Sequence, residues 1–211
     1  MAVHWVTYFY SLQLSNVAIA LLSLFTYPVI TAFLEPLLLK SKFQKNHLLL
    51  GILILGGVYF LTPEMDLDNN YFIAVILGLI SALFYALRNI LMKNEIEKYH
   101  GSVLMFYQIA VVCILLIPSL FFSDFEEVKQ QWFPLVILAV LTTCIGHTLF
   151  LKSLKSFSVT TVSIMSSIQP VYGILLGILF LSEIPDLGTL VGGILIVGAV
   201  LMEGLSSLKK G

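Results

Sequence analysis

Several runs of about 20 apolar residues restrict this chain to a fold of membrane-crossing helices. In lipid, each crossing segment must satisfy its own backbone hydrogen bonds, which a helix does and a lone strand does not. The runs predict spans at 17–39, 46–62, 71–92, 101–122, 132–152, 159–181 and 187–207. The opening residues, MAVHWVTYFYSLQ, look like the second half of another span. The sequence therefore predicts an all-α polytopic membrane protein with about seven full transmembrane helices plus a partial one.

Composition narrows the partners and the chemistry. The chain is 59% hydrophobic and 11% charged, whereas a soluble domain carries about 25% charged residues. Its net charge of −1 gives no basic patch for nucleic acid, so the predicted partner is the lipid bilayer. Cys113 and Cys144 lie in apolar runs without metal-ligand spacing, and neither a metal nor a cofactor is predicted.

The loop charges predict an orientation, because basic residues concentrate in cytoplasmic loops. Ten of the eleven basic residues fall in alternate connections, and the intervening connections are acidic apart from Lys129. This alternation predicts a multi-pass protein of the plasma membrane with a cytoplasmic C-terminus. The residues that define it are Lys40, Lys42, Lys45, Arg88, Lys93, Lys98, Lys152, Lys155, Lys209 and Lys210 on the cytoplasmic side, and Glu64, Asp66, Asp68, Asp124, Glu126, Glu127, Glu183 and Asp186 on the other.

An internal repeat appears when the chain is shifted by 142 residues, which aligns residues 11–60 with 153–202 without a gap. The alignment holds 15 identities in 50 pairs and places Pro28 on Pro170. A matched proline weighs more than a matched leucine, because proline constrains the backbone. The aligned spans cross the membrane in opposite directions. Inverted repeats of this kind build many secondary transporters, with the substrate site near the midplane.

Two stretches carry a resemblance to a known family, namely HWVTYFYSLQLSNVAIALLSLFTYPVITAFLEPLLLK and SLKSFSVTTVSIMSSIQPVYGILLGILFLSEIPDLGTLVGGILIVGAVL. They resemble the two halves of EamA-domain transporters of the drug/metabolite transporter superfamily, which are built as inverted five-helix repeats. The resemblance implies that residues 1–62 are the C-terminal part of the first EamA repeat, with a partial third helix plus two helices. It implies that residues 71–207 are the second repeat, with five helices. The first repeat is accordingly expected to be incomplete, as in an N-terminally truncated member.

The family resemblance also implies a function. It implies a secondary transporter that exports small metabolites, such as amino acids, related metabolites or drugs, by alternating access between the repeats. The alternative is a truncated, non-transporting membrane fragment or an assembly partner. An enzyme is not expected, because the His residues are isolated and the chain has no nucleophile motif and no Gly-rich phosphate loop.

Three ionisable residues form a candidate gating layer. Glu35, Arg88 and His147 each lie five residues before a lysine at a predicted cytoplasmic helix end. At 1.5 Å per residue, all three lie roughly 7 Å inside the inner boundary. A Glu35–Arg88 pair between the repeats would form an inner gate. An equally weighted alternative is that Arg88 extends its guanidinium to the lipid headgroups while Glu35 contacts the loop lysines. His147 would carry a proton or simply bond a neighbouring carbonyl.

Other candidates would line a polar, uncharged solute path. Pro28 and Pro170 are predicted to kink their helices and free backbone carbonyls near the midplane. The amide and phenol side chains predicted to contact solute are Gln108, Gln169, Tyr85, Tyr107 and Tyr172. Gly173 with Gly177, and Gly188 with Gly192, have the spacing that lets helices pack closely. A homodimer contact through glycines of the last helix in each repeat stays open.

Overall fold

The computed structural model describes residues 1–40, 46–61, 68–122, 125–166 and 169–208. Within these residues the chain is helical and contains no β-strand, so the predicted all-α class is confirmed. Part of the predicted loop pattern lies outside the described residues, namely Lys42, Lys45, Glu64, Asp66, Asp124, Lys209 and Lys210.

The α-helices among the described residues range from 6 to 26 residues in length. The α-helices are α1 (Ala2–Leu14), α2 (Val17–Leu24), α3 (Tyr27–Leu39), α4 (Asn46–Leu61), α5 (Asn70–Glu95), α6 (Gly101–Leu116), α7 (Phe125–Gln130), α8 (Trp132–Leu138), α9 (Thr148–Ser153), α10 (Val159–Met165), α11 (Gln169–Leu176) and α12 (Leu187–Leu208). A 3-10 turn at Ile117–Phe122 follows α6, and π-helical segments at Ala139–His147 and Gly177–Leu181 follow α8 and α11.

The apolar helices lie where the sequence predicts spans. The described residues include four helical stretches long and apolar enough to cross a membrane: Val17–Leu39, Asn70–Glu95, Gly101–Ser119 and Trp132–Ser153. Shorter apolar helices at Leu49–Leu61, Gln169–Leu181 and Leu187–Met202 fall within the three other predicted spans. The count of seven full helices plus a partial one remains a prediction.

The chain divides into two compact units. The smaller unit contains Met1–Ala2 and Leu91–Ser158, and the larger contains Val3–Ile90 and Val159–Gly211. The predicted domain boundaries come from the family resemblance and the sequence repeat, and not from compactness, so this division leaves them as a prediction.

In the larger unit, glycines bring α12 close to α4. A Cβ atom added to Gly192 would lie 2.7 Å from the carbonyl oxygen of Gly57, and one added to Gly188 would lie 2.8 Å from that of Phe60. Small residues let helix backbones approach this closely in membrane proteins. The spacing of Gly188 and Gly192 predicts close helix packing, and the helix that they contact is α4.

A carboxylate caps the start of α12. Oδ1 of Asp186 accepts a hydrogen bond from the backbone N–H of Thr189 at 2.6 Å. This bond satisfies one of the backbone donors that the first turn of a helix leaves unpaired. Hydrogen bonds from the side chain and then the backbone of Thr189 lower the pKa of the Asp186 carboxyl below its ordinary value.

The two matched prolines begin helices. Pro28 is the second residue of α3, after the break between α2 and α3, and Pro170 is the second residue of α11. Proline is tolerated in a first turn, because its missing N–H would have no acceptor within the helix. At the first break, the carbonyl of Ser23 accepts a hydrogen bond from the Thr26 hydroxyl at 2.8 Å. That carbonyl is therefore satisfied within the protein.

Two rare backbone conformations lie at corresponding positions of the repeat. Lys40 ends α3 with a φ of 54°, and Ser182 follows the second π-helical segment with a φ of 58°. They are the non-glycine residues of positive φ in the described part of the chain, and such residues are uncommon in proteins. The positions are 142 residues apart, which is the shift that aligns the repeat. The two positions thus share a backbone conformation as well as a place in the alignment.

In the smaller unit, α6 packs against α9. A Cβ atom added to Gly101, the first residue of α6, would lie 3.3 Å from the backbone nitrogen of Lys152. Just beyond α9, the Lys93 ammonium donates to the carbonyl oxygens of Leu154 at 2.6 Å and Phe157 at 3.0 Å. A cation at a helix C-terminus satisfies carbonyls that have no partner in the helix. Lys93 thus fixes the turn that follows α9.

Candidate functional site

Three predicted site residues are buried in the larger unit. The exposed fractions are 9% for Glu35, 8% for Tyr85 and 6% for Arg88. Tyr85 and Arg88 lie three residues apart in α5 and therefore share one face of that helix. Ionisable side chains within membrane helices are costly to bury and usually mark a functional site. Their surroundings therefore define the candidate site.

His4 and Ser81 join α1 to the face of α5 that carries Tyr85. Nδ1 of His4 lies 2.7 Å from the Ser81 hydroxyl oxygen, and that hydroxyl donates to the His4 carbonyl at 2.9 Å. The hydroxyl has one proton and gives it to the carbonyl, so its oxygen is the acceptor for Nδ1–H. This pattern assigns the proton of a neutral imidazole to Nδ1. Both residues are buried, which makes the pairing costly to lose.

Tyr85 lies at the centre of an aromatic stack. Its ring centroid is 4.5 Å from that of His4 in a stacked arrangement and 4.8 Å from that of Tyr27 in an edge-to-face arrangement. The central guanidinium carbon of Arg88 lies 6.0 Å from the same ring centroid. These distances suit aromatic pairing and lie at the outer limit of a cation–π contact. We refer to His4, Tyr27, Ser81, Tyr85 and Arg88 as the polar–aromatic cluster.

Two further contacts orient the edges of the cluster. Arg88 donates from one guanidinium nitrogen to the amide oxygen of Asn89 at 2.8 Å, and Asn89 is fully buried. The hydroxyl of Tyr27 donates to the carbonyl oxygen of Ser163 in α10 at 3.3 Å. The cluster thus combines stacking faces, neutral hydrogen-bonding groups and one guanidinium. Such groups within an apolar bundle can hold a small polar solute.

Small residues on α5 bring the cluster next to the break between α2 and α3. Ala82 and Ala86 are fully buried and pack with Phe25 and Tyr27. Without larger side chains at these positions, α5 can approach the break closely. The interrupted helix and the cluster are therefore neighbours within the larger unit.

Glu35 contacts the start of α10. Its two carboxylate oxygens accept hydrogen bonds from the backbone N–H groups of Val159 at 3.2 Å and Thr160 at 3.0 Å. The Thr160 hydroxyl donates to the same carboxylate at 2.5 Å. The ion pairs found among the described residues are Lys98–Glu95 and Lys129–Glu126, so the predicted Glu35–Arg88 pair is not one of them. Glu35 satisfies a helix N-terminus, as capping residues do.

Glu183 makes the corresponding contact at the start of α2. Its carboxylate accepts a hydrogen bond from the backbone N–H of Val17 at 2.7 Å. The side chain of Asn16 accepts from Ile19 N–H at 2.9 Å and caps the same helix. The Glu183 backbone N–H itself donates to the Gly177 carbonyl at 3.3 Å, which fixes the chain after the second π-helical segment.

The remaining predicted site residues lie outside the polar–aromatic cluster. In the larger unit, Gln169 is exposed, and Tyr172 is 48% exposed. In the smaller unit, Gln108 donates to the Leu104 carbonyl of its own helix at 3.1 Å. Tyr107 is 64% exposed, and His147 is half-buried at the end of the first π-helical segment. Their predicted roles remain predictions.

Several residues of the cluster and of its surroundings are not among the predicted site residues. His4 aligns with His147 when one extra residue is allowed, and that correspondence is a signal in its favour. Ser81 has no sequence signal, because a serine in an apolar helix usually bonds its own backbone. Ser163 accepts from Tyr27 through its backbone carbonyl, a group that every residue has. Glu183 belongs to a predicted acidic loop, and the loop position alone does not indicate its contact with Val17. In the described part of the chain, no group of three His, Cys, Asp or Glu side chains could hold a metal ion.

The helices, their apolar surfaces and the buried polar–aromatic cluster define a helical membrane protein whose apolar interior holds a group of polar side chains. The model of the EamA-like transporter family matches residues 1–62 and 72–203, and the chain belongs to this family. The resemblance read from the sequence is confirmed. A solved crystal structure superposes on 98% of this chain and 72% of its own with a TM-score of 0.71, and at 17% identity this shows a shared fold alone.

Several curated relatives are named as transporters. The Pseudopaline exporter CntI of Pseudomonas aeruginosa strain UCBPP-PA14 is 29% identical over 213 residues, which cover 100% of this chain and 73% of the exporter. An uncharacterized transporter of Archaeoglobus fulgidus is 29% identical over 196 residues, covering 93% of this chain and 70% of that protein. The uncharacterized transporter YxxF of Bacillus subtilis is 26% identical over 206 residues, which cover 94% of this chain and 65% of that protein. The family and its relatives are thus transporters and not enzymes.

Proposed function

We propose that this chain is a secondary transporter that exports small metabolites, such as amino acids, related metabolites or drugs. It works by alternating access between two inverted repeats. The observation that carries this proposal is the joint burial of His4, Tyr85 and Arg88 inside an apolar bundle. Burying such groups is costly, and a solute path is the usual reason to retain them. The printed function of one relative, export of pseudopaline, is in keeping with a small-molecule solute.

The repeat has structural support beyond residue identities. Lys40 and Ser182 share positive φ at corresponding positions, and Pro28 and Pro170 each take the second position of a helix. The segments that match the family, 1–62 and 72–203, begin and end near the proposed repeats at 1–62 and 71–207. Two similar halves of opposite orientation can exchange conformations, so that one site opens to each side in turn.

The orientation and partners complete the proposal. In this proposal the C-terminus is cytoplasmic, which the distribution of basic loop residues supports. The lipid bilayer surrounds the apolar helices, and the solute is the partner of the polar–aromatic cluster. A homodimer through the last helix of each repeat remains a prediction.

Reconstitution tests the proposal directly. Proteoliposomes would be loaded with a defined mixture of amino acids and a bacterial metabolite extract, and released solutes identified by mass spectrometry. We expect at least one small polar solute to leave faster than from protein-free vesicles, and Arg88→Gln with Tyr85→Leu to abolish this. An exposed tyrosine with no predicted site role offers a matched control, Tyr10→Leu, which should leave release unchanged. Release at the protein-free rate for every solute would contradict transport.

A further inference from the structure

Two glutamates hold the first backbone N–H groups of two helices that correspond in the repeat. Glu35 accepts from Val159 and Thr160 at the start of α10, and Glu183 accepts from Val17 at the start of α2. Val17 and Val159 are 142 residues apart, so they are counterparts under the shift that aligns the repeat. The two contacts therefore secure equivalent points of the two copies.

The contacts are reciprocal. Glu35 lies near the end of the segment that α2 begins, and it binds the start of α10. Glu183 follows the segment that α10 begins, and it binds the start of α2. A glutamate at the end of each segment thus binds the first residue of the other segment. The glutamates are not themselves repeat counterparts, since Glu35 aligns with Gly177. The chain makes the same contact twice with carboxylates at different positions.

The two contacts lie at opposite ends of these segments. Between Val17 and Glu35 the chain is almost continuously helical over 18 residues, which corresponds to roughly 27 Å at 1.5 Å per residue. That length approaches the thickness of the hydrocarbon core. One contact therefore joins the two segments near one membrane face, and the other contact joins them near the opposite face.

The two contacts differ in strength. Glu35 is 9% exposed and accepts three hydrogen bonds from two residues. Glu183 is half-buried and accepts one hydrogen bond at 2.7 Å. Hydrogen bonds to a charged group are stronger when the group is shielded from water. The Glu35 contact should therefore be the harder of the two to open.

We propose that Glu35 and Glu183 are the two gate latches of the transport cycle, each released while the other stays closed. This inference rests on the proposed function, because alternating access is what requires two gates that open in turn. In the present structure both latches are closed, as in a state that is shut to both faces. Opening one face breaks the carboxylate contact at that face and leaves the opposite helix start held.

Cysteine labelling in nanodiscs tests the latches without measuring transport. The background carries Cys113→Ser and Cys144→Ser, since both native cysteines are exposed. Reporter cysteines replace Thr31, one turn before Glu35, or Ala20, one turn after Val17. Both reporter positions are fully buried in the present structure. A membrane-impermeant maleimide then reports the opening of each face.

Loss of one latch should open one face only. We expect Glu35→Gln to raise labelling of the Thr31→Cys reporter about tenfold, as for loss of a charged, multiply bonded acceptor. Labelling of the Ala20→Cys reporter should stay the same or fall. Glu183→Gln should raise labelling of the Ala20→Cys reporter about threefold, because it breaks a single hydrogen bond. Labelling of the Thr31→Cys reporter should then stay the same or fall. A milder variant, Thr160→Val, removes only one bond to Glu35 and should act in the same direction.

The controls separate gating from general loosening. Glu126→Gln alters a carboxylate on an exposed ion pair and should change neither reporter. The proposal would be overturned if one variant raised the labelling of both reporters. It would also be overturned if no variant raised the labelling of either reporter. If solute release is measured but the reporters do not respond, the latches fail and transport stands. If the reporters respond but no solute moves, the gates stand and the proposed function fails.

Discussion

His4 and Ser81 exchange two hydrogen bonds between α1 and α5, at 2.7 Å and 2.9 Å, and both side chains are buried. This exchange sets the imidazole plane on which Tyr85 stacks. It ties the first helix of the chain to the helix that carries Arg88. The polar–aromatic cluster therefore depends on a pairing between residues 77 positions apart.

Ser81→Ala tests that pairing. The change removes the hydroxyl that Nδ1 and the carbonyl of His4 both bond, and breaking buried hydrogen bonds of this kind costs about 1–3 kcal/mol. We expect release of the transported solute to fall several-fold in proteoliposomes. Ser119→Ala removes a hydroxyl that bonds the carbonyl of Leu116 on the exposed turn after α6, and should be neutral. Equal release from the Ser81 and Ser119 variants would show that the pairing does not position the site.

The ring of Tyr85 should matter more than its hydroxyl. Tyr85→Leu removes two aromatic pairs, each worth about 0.5–1.5 kcal/mol, whereas Tyr85→Phe keeps both. We expect the leucine variant to lose about tenfold in solute release and the phenylalanine variant to keep most of it. The comparison is measured at matched protein density in vesicles. A phenylalanine variant as defective as the leucine variant would assign the role to the hydroxyl.

Gly192 and Gly198 provide a matched pair of substitutions on α12. A Cβ atom on Gly192 would meet a backbone oxygen of α4 at 2.7 Å, whereas one on Gly198 would meet nothing within 4 Å. Gly192→Ala must therefore push the helices apart, at about 1–3 kcal/mol, while Gly198→Ala should be neutral or slightly stabilising. Thermal unfolding in detergent should separate the two. Equal midpoints would mean that α4 and α12 are not packed this closely.

Asp186 predicts a pH-dependent contribution to stability. Its pKa is lowered in the folded protein by the hydrogen bonds from Thr189. The stabilisation is therefore present above the unfolded carboxyl pKa, about 3.9, and is lost as the pH falls through the lower folded value. Asp186→Ala should cost about 1 kcal/mol at pH 7, and this cost should shrink below pH 4.

Asp186→Asn serves as the control for the pH effect. Asparagine caps a helix about as well as aspartate but carries no charge. The stability of this variant relative to the alanine variant should not change across that range. A cost of the alanine variant that is constant down to pH 2 would contradict the assignment.

Much of the fold follows from the sequence because lipid permits few solutions. Apolar length alone predicts the spans at 71–92 and 132–152, and the helical stretches are Asn70–Glu95 and Trp132–Ser153. The helix break before Pro28 is harder to predict from the sequence, because proline occurs both at kinks and at helix starts. The first-turn position follows from where α3 begins, at Tyr27, which only the structure shows.

Part of the candidate site could be predicted from the sequence for a similar reason. Glu35, Tyr85 and Arg88 stand out, because polar residues in apolar spans are rare. Their partners do not stand out, because Glu35 binds residues 124 and 125 positions away through backbone groups that every residue has. A sequence pattern can indicate that a carboxylate is buried. It cannot show which helix start it binds.

Counterflow is the most direct test of alternating access. Vesicles containing the protein would be loaded with a high concentration of an unlabelled solute identified in the release experiment, and diluted into a trace of the same solute carrying a label. A carrier that exposes one site to each side in turn must exchange solute, so the label should rise above its equilibrium level and then decline. A monotonic approach to equilibrium with no overshoot would contradict alternating access in this protein.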